Sequence, residues 1–372
     1  MVYLDYAANN KVSDKVIDLY TKLVKENFAN PNSVHKLGIK AKEIIDNSTK
    51  EIADLLHVEP SEIIYTSCST ESNNLVIKGI CERYKNFGKH ILLSSLEHNS
   101  SIAAASYMQE QGFEIELIPI NSDGLVDVEA LKKMIRPDTI LVSVVSVDSE
   151  IGLIQPIEEI GKILKDYPNT YFHSDATQSI GKVNIDYSNV DLITISPHKF
   201  GGLNDISILV KKNNVSLKPQ IHGGRSTTVY RSGTPNMPSI AAAALSLKLA
   251  LEEMDEVNKY VKSLNKKIIN HLKNYKEIHI NNRENSIPYT INFSIENTKS
   301  QDVVKYFNDK DIYISSKTSC CPVETGSKLV YALTKDKSLA ASSIRVSLSK
   351  YATNEDIDIF LTEFDTFMKG LK

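Results

Sequence analysis

The chain has 372 residues, 43 basic and 46 acidic side chains, 41% hydrophobic residues and a net charge of −3. This length suits one large domain with a smaller companion, and so even a charge balance creates no strong field for nucleic acid or an anionic membrane. No basic-then-apolar leader opens the sequence and no run of about 18 apolar residues occurs, so the expectation is a cytoplasmic protein without membrane spans or direct nucleic-acid binding.

Amphipathic periodicity predicts helices over residues 14–26 and 35–56. From about residue 60 to 210, short runs rich in Ile, Val, Leu or Tyr predict strands at 62–66, 90–95, 114–118, 139–145, 170–174, 192–196 and 206–210. Helical patterns at 99–111, 127–134 and 157–165 lie between them. The alternation predicts an α/β domain around a mainly parallel, seven-stranded sheet. Residues 239 to about 273, rich in Ala, Leu and Lys, predict one long helical stretch that serves as a hinge. A smaller α+β domain then follows, with strands at 278–280, 289–293, 312–316 and 343–347 and helices at 302–308 and 355–369. The expected division is a large domain over residues 13–250, and a small domain over 251–372 joined by residues 1–12.

The four cysteines are Cys68, Cys81, Cys320 and Cys321. They are too few for the disulfide framework of a secreted domain. With no C-x-x-C pair and no H-E-x-x-H helix, no metal site is expected. The adjacent pair at 320–321 is left to chemistry or to chance.

Ligands of open α/β sheets sit beyond the carboxyl ends of the strands, so the residues following each strand carry the functional signal. Ser67-Cys68-Ser69-Thr70-Glu71 opens a helix and is either a plain N-cap or a phosphate cup. Leu96-Glu97-His98-Asn99 follows the second strand, where a histidine by itself reads as a cap or a surface residue. Asp175-Ala176-Thr177-Gln178 places a carboxylate at a buried strand end, where it needs a cationic or donor partner to stay ionised. Pro197-His198-Lys199 offers either a solvated loop lysine or a partly desolvated amine suited to Schiff-base chemistry. Together these strand ends supply what pyridoxal 5′-phosphate requires. A lysine takes the aldehyde, an aspartate keeps the pyridine nitrogen protonated, and hydroxyls and an imidazole hold the phosphate and cover the ring. The rival dinucleotide and P-loop motifs, G-x-G-x-x-G and G-x-x-x-x-G-K-[ST], are absent.

The chain resembles the class V aminotransferase group of fold-type I pyridoxal-phosphate enzymes, and within it the NifS-like cysteine desulfurases. The likeness runs through Tyr3-Leu4-Asp5-Tyr6-Ala7-Ala8, Asn30-Pro31-Asn32-Ser33, Thr66-Ser67-Cys68-Ser69-Thr70-Glu71-Ser72-Asn73-Asn74 and Glu97-His98. It continues through Glu150-Ile151-Gly152, His173-Ser174-Asp175-Ala176-Thr177-Gln178, Ser196-Pro197-His198-Lys199, His222-Gly223-Gly224, Arg231-Ser232-Gly233-Thr234 and Ser343-Ile344-Arg345-Val346-Ser347-Leu348. The resemblance implies that Lys199 carries the cofactor and moves the substrate Cα proton. Asp175 would pair with the pyridine nitrogen, Gln178 with the ring hydroxyl, and His98 would stack on the ring. Ser69, Thr70, Ser196 and His198 would hold the phosphate, with Thr234 reaching in from the second subunit of a homodimer. Arg345 would grip the carboxylate of L-cysteine, a task for which its bidentate fork is suited. Cys320, on a small-domain loop with Lys317 nearby, would take the substrate sulfur as a persulfide and release alanine. The sulfur would go to an acceptor protein of the iron–sulfur scaffold or tRNA-thiolation type.

Three positions depart from the family pattern. Asp148 and Ser149 stand where two asparagines are usual, so Ser149 is too short for the usual contact beside the cofactor. Gly202-Leu203-Asn204-Asp205 replaces a loop that normally carries a cation, and Cys321 directly follows the expected nucleophile. A selenocysteine lyase, a carbon–sulfur lyase or an aminotransferase shares the same cofactor kit. A non-catalytic sulfur-relay protein is the alternative of a different class.

Overall fold

The computed structural model describes residues 1–316 and 326–371. Seven strands form one sheet in the order Ile63–Thr66, Ser207–Lys211, Leu192–Ile195, Tyr171–Asp175, Thr139–Ser143, His90–Ser94 and Glu114–Ile118. Ser207–Lys211 runs antiparallel to both neighbours, and the remaining pairs are parallel. Six strands therefore send their carboxyl ends to the same edge. The expected mainly parallel α/β sheet is borne out.

Both faces of this sheet are covered except along the edge strand Glu114–Ile118, which is why its inner strands read as buried runs without alternation. Leu92 packs on one face with Ile240, Ala243 and Leu247 of the helix Met237–Glu252. Its neighbours Ile91 and Leu93 pack on the other, against Ile77 and Ile80 of Ser69–Tyr84 and Ala104 and Met108 of Asn99–Glu110.

A second core surrounds a three-stranded antiparallel sheet in the order Ser343–Ser347, Thr290–Ile295, Ile278–Ile280. Phe293, Phe307, Phe360 and Phe364 fill it. The N-terminal strand Val2–Tyr3 pairs parallel with Ile312–Tyr313, and Val2, Leu4 and Tyr6 are buried in this core. The first residues of the chain thus pack with its last third.

The long helical stretch expected after residue 239 is two helices, Met237–Glu252 and Met254–Leu272, with the break at Glu253. The first packs on the large sheet, whereas Val261, Leu264 and Ile268 of the second pack in the second core. The chain must change direction to serve both cores. Neither Gly nor Pro marks the place, so the periodicity runs through it. Ile312–Tyr313 is shorter than expected, and Ser315 makes only an isolated bridge to Arg345. Helices Lys328–Thr334 and Lys337–Ala341 escaped prediction because each is too short to show a helical period. Other boundaries shift by a residue or two. Among the described residues, no helix is long and apolar enough to cross a membrane.

Phe307 is fully buried, with ring centroids 5.3 Å from Phe360 and 6.4 Å from Phe364. Phe307→Ala is expected to cost about 3–5 kcal/mol by leaving a cavity among these rings. The exposed control Phe87→Ala should stay within about 0.5 kcal/mol of the parent. Urea unfolding of the three proteins, followed by near-ultraviolet circular dichroism, checks the contrast.

Candidate active site

Loops at the shared carboxyl edge of the sheet wall a cavity of about 280 Å³. Lys199, His98, Asp175, Gln178, Ser69, Thr70, His198, Ser149 and Arg345 all line it. Ser196 lies fully buried behind the wall, its hydroxyl bonded to that of Ser69. Thr234 is exposed and does not line the cavity of its own chain. Cys320 and Cys321, with Lys317, lie outside the described residues.

Lys199 ends the short turn Pro197–Lys199 that follows the strand Leu192–Ile195. Its Nζ donates to the carbonyls of Ala7 at 2.9 Å and Ala8 at 2.6 Å. Gln178 Nε2 donates to the same Ala7 carbonyl at 3.0 Å. The N-terminal segment therefore meets two of the expected cofactor residues at one atom.

Asp175 ends the strand Tyr171–Asp175 and is buried. Its Oδ1 accepts from the Thr177 amide at 3.0 Å and its Oδ2 from Asn73 Nδ2 at 2.9 Å. Asn73 Nδ2 also donates to Ser100 Oγ at 2.9 Å, and Ser100 Oγ lies 2.8 Å from His98 Nδ1. The Ser100 amide donates to that same ring nitrogen at 3.2 Å, so Nδ1 is an acceptor and the neutral ring carries its proton on Nε2. Burial lowers the His98 pKa, against the pull of Asp175 and with the push of Lys199. Burial also drives His198 down to about 3, helped by Lys199 and Lys182. Both imidazoles are neutral at physiological pH.

Arg345 is 1% exposed and stands in the strand Ser343–Ser347 of the small sheet. A buried cation needs a partner and donors in place. Its Nη2 pairs with Asp5 Oδ1 at 2.7 Å, and its Nη1 donates to the Ser149 carbonyl at 2.8 Å. The guanidinium thus joins the N-terminus, the small sheet and the large-sheet loop at the cavity wall.

The departures from the family pattern take on a physical meaning here. Buried Asp148 accepts the amides of Glu150 at 2.9 Å, Ile151 at 2.7 Å and Leu153 at 2.7 Å. It shapes a turn in which Gly152 adopts φ +78°, and that turn presents the Ser149 carbonyl to Arg345. Asp205 adds no anion to the cavity. Its carboxylate accepts from Ser239 Oγ at 2.6 Å and Asn236 Nδ2 at 3.2 Å, at the N-terminus of Met237–Glu252, where a negative charge is favourable. Sequence reasoning gave no role to Asn73 or Asp5. Both lay inside quoted motifs, but only the fold reveals which side chains they hold.

The set fits pyridoxal phosphate. An amine, a carboxylate supported by an amide, two neutral imidazoles and a group of hydroxyls converge on one cavity, with Ser69 Oγ 3.3 Å from Thr177 Oγ1 as well as against Ser196. Lys199 would take the aldehyde, Asp175 would hold the pyridine nitrogen protonated, and the hydroxyls of Ser69, Thr70 and Ser196 with His198 would receive the phosphate.

Beside His98, Glu97 is a buried carboxyl whose Oε1 accepts the Val145 amide at 2.5 Å. Burial, with repulsion from Asp175, pushes its pKa up to about 8. Its ordinary value is 4.5, so folding favours the protonated form. That contribution is complete below pH 4.5 and is lost as the pH rises to about 8. Thermal midpoints recorded between about pH 5 and pH 8 should fall for the parent and fall less for Glu97→Gln. Parallel profiles would rule out a protonated Glu97.

The chain matches the family model "Aminotransferase class-V" over residues 2–360. It is 34% identical to a protein of Dictyoglomus turgidum named cysteine desulfurase IscS, covering 100% of this chain and 95% of that one. A solved structure described as a NifS-like protein superposes with a TM-score of 0.93 at 33% identity, covering 99% of both chains. Another, described as SspA in complex with cysteine, gives a TM-score of 0.84 at 30% identity and covers 95% of this chain and 100% of its own. Fold, cavity and likeness agree: this chain belongs to the class-V aminotransferase family, in its NifS-like branch.

Proposed function

We propose that the chain is a pyridoxal-phosphate-dependent cysteine desulfurase that converts L-cysteine to L-alanine and transfers the sulfur to Cys320. The observation that carries this reading is the meeting of Lys199, Asp175, Gln178, His98 and Arg345 in one cavity. The names borne by the relatives, including a structure described with cysteine, support the same substrate.

Arg345 receives the substrate carboxylate through its fork, held by Asp5 and the Ser149 carbonyl. Lys199 Nζ moves the proton at the substrate Cα, and neutral His98 is available to exchange a proton with the sulfur. Pyridoxal phosphate, when bound, supplies the electron sink that makes the Cα–H bond breakable. The Cys320 thiolate attacks the substrate sulfur, so that an S–S bond forms as the substrate Cβ–S bond breaks. The electron pair stays on Cβ, which takes up the proton released when the Cys320 thiol ionised, alanine leaves, and Cys320 keeps a persulfide. Atoms and electrons balance without an outside oxidant or reductant.

The chain geometry supports Cys320 as the acceptor. Ser315 exchanges main-chain hydrogen bonds with Arg345, its amide donating at 3.1 Å and its carbonyl accepting at 2.6 Å. Cys320 follows this anchor by five residues in the sequence, a span of at most about 18 Å. A homodimer completes the site, with Thr234 of each subunit serving the other. Thr234 is exposed outside its own cavity, and Phe28 and Val34 expose 81% and 93% of their surface. Apolar side chains so exposed suit a subunit interface. The enzyme works in the cytoplasm and hands its sulfur to an acceptor protein of the scaffold or tRNA-thiolation type.

Incubation with L-cysteine, followed by assay of alanine and protein-bound persulfide, tests the reading. The parent and Cys321→Ser should make both products. Cys320→Ser should lose at least about 100-fold in alanine formation while still binding cofactor, as expected for removal of a nucleophile. Pyruvate and ammonia in place of alanine, or full turnover by Cys320→Ser, would overturn it.

A further inference from the structure

Lys182 is a buried amine that the chemistry above does not use. It follows Gly181, whose φ of +72° and whose close approach to Ala250, where a Cβ would come within 2.8 Å, fix the backbone at the end of the Asp175–Gln178 loop. The side chain is 7% exposed. Its Nζ donates to Gln178 Oε1 at 2.7 Å and lies 5.7 Å from the centroid of the Tyr289 ring. Its own carbonyl accepts from Asn258 Nδ2 at 2.7 Å, so the backbone is held from the helix Met254–Leu272 as well. Among the described residues no carboxylate lies within ion-pair distance of it. Burial, with repulsion from Lys199 and Arg345, lowers its pKa to about 7. A solitary buried cation is costly unless something is gained from it.

The gain is visible in the amide it touches. A carboxamide has an acceptor end and a donor end, and packing alone distinguishes them poorly. Lys182 Nζ donates to Oε1, which leaves Nε2 to face away. Away is toward the Ala7 carbonyl at 3.0 Å and the cavity that Gln178 lines. Without Lys182, only the Ala7 carbonyl favours this orientation, and an amide oxygen turned to the cavity would repel an anionic ligand oxygen.

We propose that Lys182 is a positioning residue that, through its hydrogen bond to Gln178 Oε1, holds Gln178 Nε2 as the donor toward the ring hydroxyl of bound pyridoxal phosphate. This rests on the cofactor reading above. The lysine itself touches neither cofactor nor substrate.

A double-mutant cycle on the holoenzyme tests it. The pH midpoint of the bound cofactor's visible band and the affinity of the apoprotein for pyridoxal phosphate are measured for the parent, Lys182→Met, Gln178→Ala and the double variant. Lys182→Met should move the midpoint in the same direction as Gln178→Ala, by about half a pH unit or more. It should weaken cofactor binding roughly three- to tenfold, the scale of one hydrogen bond. The double variant should match Gln178→Ala, because the lysine acts only through the amide. Lys182→Arg, which keeps a side chain with donors only, should restore the parent midpoint.

Additive shifts in the double variant would overturn the proposal, as would a parent-like midpoint in Lys182→Met or in Gln178→Ala. If Lys182→Met does not fold, Lys182→Arg decides: a midpoint displaced as in Gln178→Ala contradicts the positioning role. A parent protein that takes up pyridoxal phosphate without a visible band contradicts the cofactor reading instead, so the two failures are distinguishable.

Discussion

The site depends on where residues 4–8 lie. Leu4 and Tyr6 are buried in the second core, which fixes the segment from below. Above, Asp5 neutralises Arg345, and the Ala7 carbonyl receives both Lys199 and Gln178. The Ala7 amide donates to Ser347 Oγ at 2.9 Å, and the Ser347 amide to the Leu4 carbonyl at 2.8 Å. Five residues thus connect the large sheet, the small sheet and Lys199. Were this segment displaced, Arg345 would be a buried cation without its carboxylate, a loss of several kcal/mol in general experience. The N-terminus is therefore part of the active-site wall.

The buried ionisable groups divide into two kinds. Arg345 is paired and hydrogen-bonded on two sides. Glu97, His98, His173 and His198 are driven toward neutrality, chiefly by burial, with His173 lowered to about 4. The division serves chemistry on an anionic cofactor and a zwitterionic substrate. A fixed cation stands at one wall of the cavity, and neutral imidazoles line it as well. Asp148 belongs to the same design: a carboxylate surrounded by three amides shapes the loop that faces Arg345.

Much of this was legible in the sequence. The inner strands of the large sheet are short runs covered on both faces, and such runs declare themselves without an alternating pattern. Lys199, Asp175, His98 and Ser69 were found because each follows a strand, and a parallel sheet brings those positions to one edge. What the sequence hid depends on contacts between distant segments. The break at Glu253 reflects two separate cores, and nothing local marks it. Asp205 reads as a charge beside the cofactor, yet it caps a helix start more than thirty residues on. Lys182 and Asn73 act through neighbours, so their residue types alone give no hint of what they hold.

Lys199, and not the buried amine Lys182, is expected to be the point at which pyridoxal phosphate joins the protein. Borohydride reduction of the holoenzyme, proteolysis and mass mapping of the peptides test it directly. The cofactor is expected on the peptide containing Lys199, with the Lys182 peptide unmodified. Label on Lys182, or label spread over surface lysines, would contradict the account of this cavity.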